Sequence, residues 1–210
     1  MQIKAVLFDM DGTLVNSDAA VERAWITWAA EYGVDGPEAI ALAHGSPSEP
    51  TVRKLLPHFD EGATVVALAR QMELQYDDVA DVVAAPGAVE LLDVLADRGI
   101  PWAVVTSADT RLAHARLGAA GIAAPLLVSV DDIRNGKPDP EGYLLAARRL
   151  GVDPTRCLVV EDAEPGVRAA HAAGATVAAL KGVTADLQLA DLTDLTAAFA
   201  PATNGAPGAQ

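Results

Sequence analysis

Cysteine and aromatic residues are both scarce in this 210-residue sequence. The single cysteine, Cys157, excludes an intramolecular disulfide, and its apolar surroundings in the run CLVV favour a buried, unreactive thiol. Aromatic residues make up only 4% of the chain, whereas Ala, Val and Leu are abundant. This composition favours closely packed helices against a buried sheet, in a protein from a reducing environment.

Basic residues are also few, at 15 Lys and Arg against 29 Asp and Glu, which gives a formal net charge of −14. A nucleic-acid-binding protein usually carries a basic face, so the charge argues against nucleic acid as a partner and against docking on an anionic membrane surface. An anionic substrate would need a divalent cation and a few well-placed basic groups to enter so acidic a protein.

Long apolar runs are absent, and none approaches the roughly 20 residues that cross a bilayer. The first residues, MQIK, lead directly into a strand-like segment without the pattern of a signal peptide. We therefore expect a cytoplasmic protein without a membrane partner.

Short apolar runs alternate with amphipathic segments over most of the chain, a pattern typical of a parallel sheet covered by helices on both faces. Strands are predicted at 3–8, 101–105, 126–130, 158–160 and 176–180, and helices at 19–32, 88–98, 111–120, 141–150 and 165–173. Residues 35–85 contain helical segments and no convincing strand, so they interrupt the alternation.

The predicted fold is α/β, with a doubly wound (Rossmann-like) parallel sheet and an inserted small α-helical cap domain. The core comprises residues 1–15 and 85–199, and the cap comprises residues 16–84. The last segment, 200–210, is rich in Pro, Gly and Ala and is expected to be disordered.

Polar residues follow four of the predicted strands at the point where each strand ends. Because ligands of such sheets bind at the carboxyl ends of the strands, these residues are expected to meet at one edge. They are Asp9, Thr106, Ser107, Lys137, Glu161 and Asp162. Any one of them alone would be unremarkable as a turn, helix-cap or surface residue, but their coincidence at successive strand ends favours a site.

Together with Asp11, these residues would place four carboxylates close together. Such a group would repel itself unless a hard cation with oxygen ligands were present, and magnesium suits that ligand set. The hydroxyl groups and Lys137 could hold a phosphate, which makes phosphoryl transfer the natural reaction. Asp9 is the best nucleophile because it is closest to a rigid strand, and Asp11 could act as general acid and base.

The run Asp9-Met10-Asp11-Gly12-Thr13 resembles the first motif of the haloacid dehalogenase-like phosphohydrolases. Thr106, Lys137 in GKPDP and the pair Glu161-Asp162 in VVEDA resemble the second, third and fourth motifs, in family order. The resemblance extends to about residue 195. Within the family, segments such as GKPDPEGYLLAA and VVEDAEPGV are similar to those of bacterial sugar-phosphate phosphatases and of the yeast phosphatases of glycerol phosphate and 2-deoxyglucose 6-phosphate.

The resemblance implies a role for each motif residue. Asp9 would be the nucleophile and a Mg²⁺ ligand, and Asp11 would be the acid/base and bind metal through its backbone carbonyl. Asp162 would be the other direct ligand, with Glu161 a ligand or a supporting partner. The phosphate would be held by Thr106, Ser107 and Lys137.

Two cap residues, His44 and Arg53, are candidates for contacting a substrate. His44 could equally be a surface or helix-end residue, and for Arg53 a solvated helix face is the favoured alternative. Lys181 is a further basic candidate at the periphery of the site. The expected partner is a small phosphorylated metabolite, and the expected assembly is a monomer.

A phosphomutase of the β-phosphoglucomutase kind is the alternative function, because it shares the core and the cap. Those relatives typically carry a histidine where Val21 stands and often a valine where Thr13 stands, and both differences favour hydrolysis. A haloacid dehalogenase needs no magnesium, so Glu161 and Asp162 argue against it. A non-catalytic binding protein is disfavoured because none of the four motifs is degraded.

Overall fold

The computed structural model describes residues 3–43 and 46–199. Its elements, in chain order, are β1 (Ala5–Phe8), β2 (Val15–Asn16), α1 (Asp18–Tyr32), α2 (Gly36–Ala43), α3 (Ser48–Leu55), α4 (Glu61–Asp77), β3 (Val83–Ala84), α5 (Ala88–Asp97), β4 (Trp102–Val105), α6 (Thr110–Ala119), β5 (Leu127–Val128), α7 (Glu141–Leu150), β6 (Cys157–Glu161), α8 (Glu164–Ala172), β7 (Thr176–Ala179), β8 (Leu187–Gln188) and α9 (Thr193–Phe199). The predicted disordered segment 200–210 lies outside these residues.

Six strands form one sheet in the order β5-β4-β1-β6-β7-β8, and every neighbouring pair is parallel. The chain runs outward from β1 to β4 and β5, and then returns to the other side of β1 with β6. The strand order therefore reverses between β1 and β6, which is where open parallel sheets bind their ligands. The predicted α/β doubly wound fold is confirmed.

Both faces of the sheet are buried, because alternate residues of each strand point to opposite sides. On β1, Ala5 and Leu7 pack into the apolar layer beneath α7 and α8, whereas Val6 and Phe8 pack into the layer beneath α5, α6 and α9. This explains why the strands appear in the sequence as short continuous apolar runs.

The helices α1–α4, called the cap below, lie between β2 and β3, which pair antiparallel as a two-stranded ribbon. They have an apolar core of their own, in which Trp28 stacks on Tyr32 and donates its indole N–H to the carbonyl of Ala67 at 2.8 Å. The prediction of no strand between residues 35 and 85 was wrong at β3, because a two-residue strand has too few residues to show a period of two. No helix among the described residues has the length and apolarity needed to cross a membrane.

Glu161, the last residue of β6, folds back over the first turn of α8. The hydroxyl of Tyr143 donates to its Oε1 at 2.6 Å, and the backbone N–H groups of Asp162 and Ala163 donate to its Oε2 at 3.1 and 3.3 Å. A Cβ atom on Gly166 would lie 1.7 Å from Oε1, so only glycine leaves room for the buried carboxylate. The packing of α8 on β6 thus depends on glycine at position 166.

We predict that Gly166→Ala lowers the free energy of unfolding by about 1–3 kcal/mol, because Glu161 is tethered and cannot move aside without losing hydrogen bonds. Gly118→Ala is the matched control, since Gly118 lies in α6 and none of the described residues has an atom within 4 Å of the position that a Cβ would take. That change should be neutral or stabilising by up to about 1 kcal/mol. Urea unfolding of both variants measures the difference, and equal stabilities would contradict the tethered position of Glu161.

Candidate active site

Asp9 and Glu161 lie side by side because β1 and β6 are paired in register. Phe8 is opposite Val160, and the N–H of Asp9 donates to the carbonyl of Val160 at 2.9 Å. Asp162 follows directly, so carboxylate oxygens of Asp9, Glu161 and Asp162 all lie within 4.8 Å of one another. Three of the predicted site residues therefore converge at the point where the strand order reverses.

Gly12 allows the loop after β1 to lie against Asp162. Its φ of +79° belongs to the left-handed region, which disfavours other residues. A Cβ atom at this position would be 2.1 Å from Oδ2 of Asp162. The glycine of the DMDGT run is thus required by conformation and by space.

Lys137 lies between two of these carboxylates. Its ammonium donates to Oδ1 of Asp9 at 2.5 Å and to Oε1 of Glu161 at 2.6 Å, and all three side chains are at least nine-tenths buried. Tyr143 completes the group through its hydrogen bond to Glu161. Sequence reasoning missed Tyr143, because a tyrosine in a helix of ordinary periodicity gives no signal that distinguishes it from a core residue.

The charges of this group do not balance. Burial raises the pKa of Asp9 well above its usual value, with Lys137 opposing the shift and the neighbouring Glu161 and Asp162 adding to it. Burial acts against the charge of Lys137, but the carboxylates of Asp9 and Glu161 outweigh it and raise its pKa. Even with Lys181 beside Asp162, the three acids outnumber the two ammonium groups next to them, and the excess negative charge favours a cation at this place.

The donor set fits a hard divalent cation, because all three converging side chains offer oxygen. Glu161 is the most fully engaged of the three, since both of its oxygens already accept hydrogen bonds. Among the described residues, Asp162 has a side-chain partner on one oxygen only, where the ammonium of Lys181 lies 3.0 Å from Oδ2. Asp9 and Asp162 therefore have the greater capacity for a metal.

Two hydroxyl groups border the acidic cluster at the end of β4. Thr106 is buried, and its Oγ1 accepts a hydrogen bond from the N–H of Ala108 at 3.0 Å. The Oγ atom of Ser107 is buried and has no hydrogen-bond partner among the described residues. An unsatisfied buried hydroxyl can donate a hydrogen bond to an anionic ligand.

A cavity of about 550 Å³ opens above these groups, between the sheet edge and the cap. Its volume is that of a site for a small molecule. Core residues that line it include Asp9, Asp11, Thr106, Ser107 and Asp162, and cap residues that line it include Asp18, Trp25, Ser48, Glu49 and Gln75.

Of the two cap residues considered from sequence, His44 lies outside the described residues. Arg53 does not line the cavity. Its guanidinium is 2.9 Å from carboxylates of both Glu49 and Glu61, and its side chain is 44% exposed. The structure thus favours the surface interpretation of Arg53.

The carboxylate of Asp11 is held separately from the three converging acids. Ser17 donates its hydroxyl proton to Oδ1 at 2.6 Å, and Nη1 of Arg116 donates to Oδ2 at 2.7 Å. Arg116 was missed by sequence reasoning, because an arginine on an amphipathic helix usually lies on the solvated face, whereas this one is 2% exposed.

Comparisons with known proteins agree with this architecture. Hexitol phosphatase A of Escherichia coli is 41% identical over 181 residues, which cover 86% of this chain and 84% of that protein. The 2-deoxyglucose-6-phosphate phosphatase 1 of Saccharomyces cerevisiae is 33% identical over 187 residues, 80% of this chain and 76% of that protein.

A crystal structure of β-phosphoglucomutase from Clostridium difficile superposes with a TM-score of 0.84, covering 92% of this chain and 93% of that one. Its identity of 21% supports similarity of fold alone. The family model described as haloacid dehalogenase-like hydrolase matches residues 3–174, which include all of the converging residues. The chain therefore belongs to the haloacid dehalogenase-like hydrolases.

Proposed function

We propose that this protein is a magnesium-dependent phosphatase that hydrolyses small sugar or polyol phosphates through an aspartyl-phosphate intermediate. The observation that carries the proposal is the buried arrangement of Asp9, Lys137 and Asp162 beneath a cavity of small-molecule size. The phosphatases of hexitol phosphates and of 2-deoxyglucose 6-phosphate among its relatives support the same reaction and substrate class.

In the proposed reaction, a carboxylate oxygen of Asp9 attacks phosphorus and the bond to the leaving alcohol breaks. Asp11 in its protonated form donates a proton to the alcohol oxygen, and the resulting carboxylate then takes a proton from the water that hydrolyses the aspartyl phosphate, which restores the acid. Asp9 is the better nucleophile because its backbone is fixed by the hydrogen bond to β6, whereas Asp11 lies in the following loop.

Lys137 and the hydroxyl groups of Thr106 and Ser107 would hold the phosphate oxygens. Lys137 is a point charge with its ammonium directly beside Asp9, so it lies where negative charge accumulates during attack. Ser107 brings a buried hydroxyl that lacks a partner among the described residues.

Magnesium would be held by Asp9, Asp162 and the backbone carbonyl of Asp11, with Glu161 supporting the site through Lys137. When bound, the ion neutralises charge on the phosphate oxygens. For this chain the neutralisation matters more than usual, because the site has an excess of carboxylates and the whole protein has a net charge of −14.

The cap wall of the cavity supports a substrate with hydroxyl groups and one phosphate. Ser48 and Gln75 offer neutral hydrogen-bonding groups, Asp18 and Glu49 offer carboxylates, and none of the described cap residues that line the cavity is basic. A second phosphate on that side would have no basic partner among the described cap residues that line the cavity, which disfavours the bisphosphate that a phosphomutase must handle. Together with Val21 and Thr13, the cap wall therefore favours a phosphatase over a phosphomutase.

Residues 16–84 would form a cap that closes over a core of residues 1–15 and 85–199. The enzyme is proposed to be cytoplasmic and monomeric, and a monomer leaves such a cap free to move.

We predict that Asp9→Asn reduces phosphate release by roughly 10³-fold or more, because the amide is a poor nucleophile. Asp153→Asn, in the exposed turn before β6, is the control and should retain the wild-type rate. The release of inorganic phosphate from hexitol, hexose, deoxyhexose and glycerol phosphates measures the activity of both variants. Wild-type turnover in the Asp9 variant would contradict the nucleophile assignment, and conversion of glucose 1-phosphate to glucose 6-phosphate without free phosphate would favour the mutase.

We predict that chelation with EDTA abolishes activity and that added Mg²⁺ restores it. Asp162→Asn should raise the Mg²⁺ concentration for half-maximal activity by about 10- to 100-fold, because one anionic oxygen ligand is lost. A magnesium titration of wild type and variant measures the shift. Full activity in EDTA, or an unshifted titration, would contradict the metal site.

A further inference from the structure

Arg116 is a buried arginine that joins the core to the cap. It lies on the core helix α6, with 2% of its surface exposed. Its Nη1 donates to Oδ2 of Asp11 at 2.7 Å, and its Nη2 donates to Oε1 of Gln75, on the cap helix α4, at 2.8 Å. A single guanidinium thus contacts both the acid/base candidate and the cap.

Burial makes this contact to Asp11 a strong constraint. The Nε atom of Arg116 has no hydrogen-bond partner among the described residues, so Asp11 and Gln75 provide the hydrogen bonds of the guanidinium. A buried charge without a counter-charge is costly, so the ion pair with Asp11 holds both groups in place.

Gln75, the cap residue in this contact, is itself held by two other cap side chains. Nε2 of Gln75 donates to Oε1 of Gln71 at 2.6 Å and to the hydroxyl of Ser48, on α3, at 3.1 Å. The remaining oxygen of Asp11 accepts a hydrogen bond from Ser17, immediately before α1. Both carboxylate oxygens of Asp11 are therefore held by groups at the junction of core and cap.

We propose that Arg116 is a positioning residue, which orients the Asp11 carboxylate and ties that orientation to the seating of the cap through Gln75. The inference rests on the proposed function, in which Asp11 is the general acid and base. Arg116 lines the cavity, and the two hydrogen bonds that its guanidinium makes go to Asp11 and Gln75, so the measured split between kcat and KM separates an effect through Asp11 from one through substrate binding.

The test is a double-mutant cycle of Arg116→Met and Asp11→Asn, with kcat and KM measured on the best substrate of the phosphate-release screen. Arg116→Met should lower kcat by about 10- to 100-fold, a part of what general acid–base catalysis contributes, and leave KM within about 3-fold. Combined with Asp11→Asn it should cause no further loss, because residues that act as a unit are not additive.

The control is Arg111→Met, also on α6. Arg111 stacks on Tyr76 of α4 at 3.9 Å and is exposed, so it contacts the cap without contacting Asp11. Its replacement should leave kcat unchanged. Arg116→Lys, which keeps the charge but has one nitrogen for two partners, should recover part of the lost kcat.

Three results would overturn the inference while leaving the phosphatase intact: additive losses in the cycle, a rise in KM as the main effect, or an equal loss in the Arg111 control. If Arg116→Met does not fold, Gln75→Met tests the same inference, because it removes the cap partner of Arg116. We expect Gln75→Met to lower kcat several-fold in the wild-type background and to have no effect on kcat in the Asp11→Asn background. Wild-type turnover by Asp11→Asn alone would instead overturn the acid/base assignment on which the inference rests.

Discussion

The contact of the Lys137 ammonium with Asp9 and Glu161 is the interaction on which the rest of the site depends. All three side chains are almost fully buried, and buried charges are stable only when they are paired and hydrogen-bonded. The residues come from three separate segments, so the pairing fixes the loop after β5 against the ends of β1 and β6. These ion pairs thereby join the three segments at the carboxyl edge of the sheet, where the reaction is proposed to take place.

Packing beneath this edge keeps the charges in place. Glu161 can face Lys137 because Tyr143 and two backbone N–H groups hold it, and because Gly166 leaves the space that it occupies. Gly12 has the same function on the other side, where it admits Asp162. The two glycines thus leave the space in which the carboxylates of Glu161 and Asp162 lie.

The sequence was sufficient to predict the parallel sheet and the residues at its strand ends, because both follow from local patterns. Short apolar runs indicate strands, and Asp9, Thr106 and Asp162 come directly after them. Tyr143 and Arg116 could not be predicted, since their importance arises from contacts across 18 and 105 residues of chain. The short elements β3, β8 and α9 were also missed, because so few residues show no clear period.

Two basic residues of the core link the flanking acids of the site to the cap. Arg116 contacts Asp11 and Gln75 of α4, and Lys181 contacts Asp162 and Asp18, the first residue of α1. The cap is therefore attached to the core partly by cations that the site also uses to balance its carboxylates. Any change in charge at Asp11 or Asp162 alters these ion pairs, so the electrostatic state of the site and the seating of the cap are physically coupled.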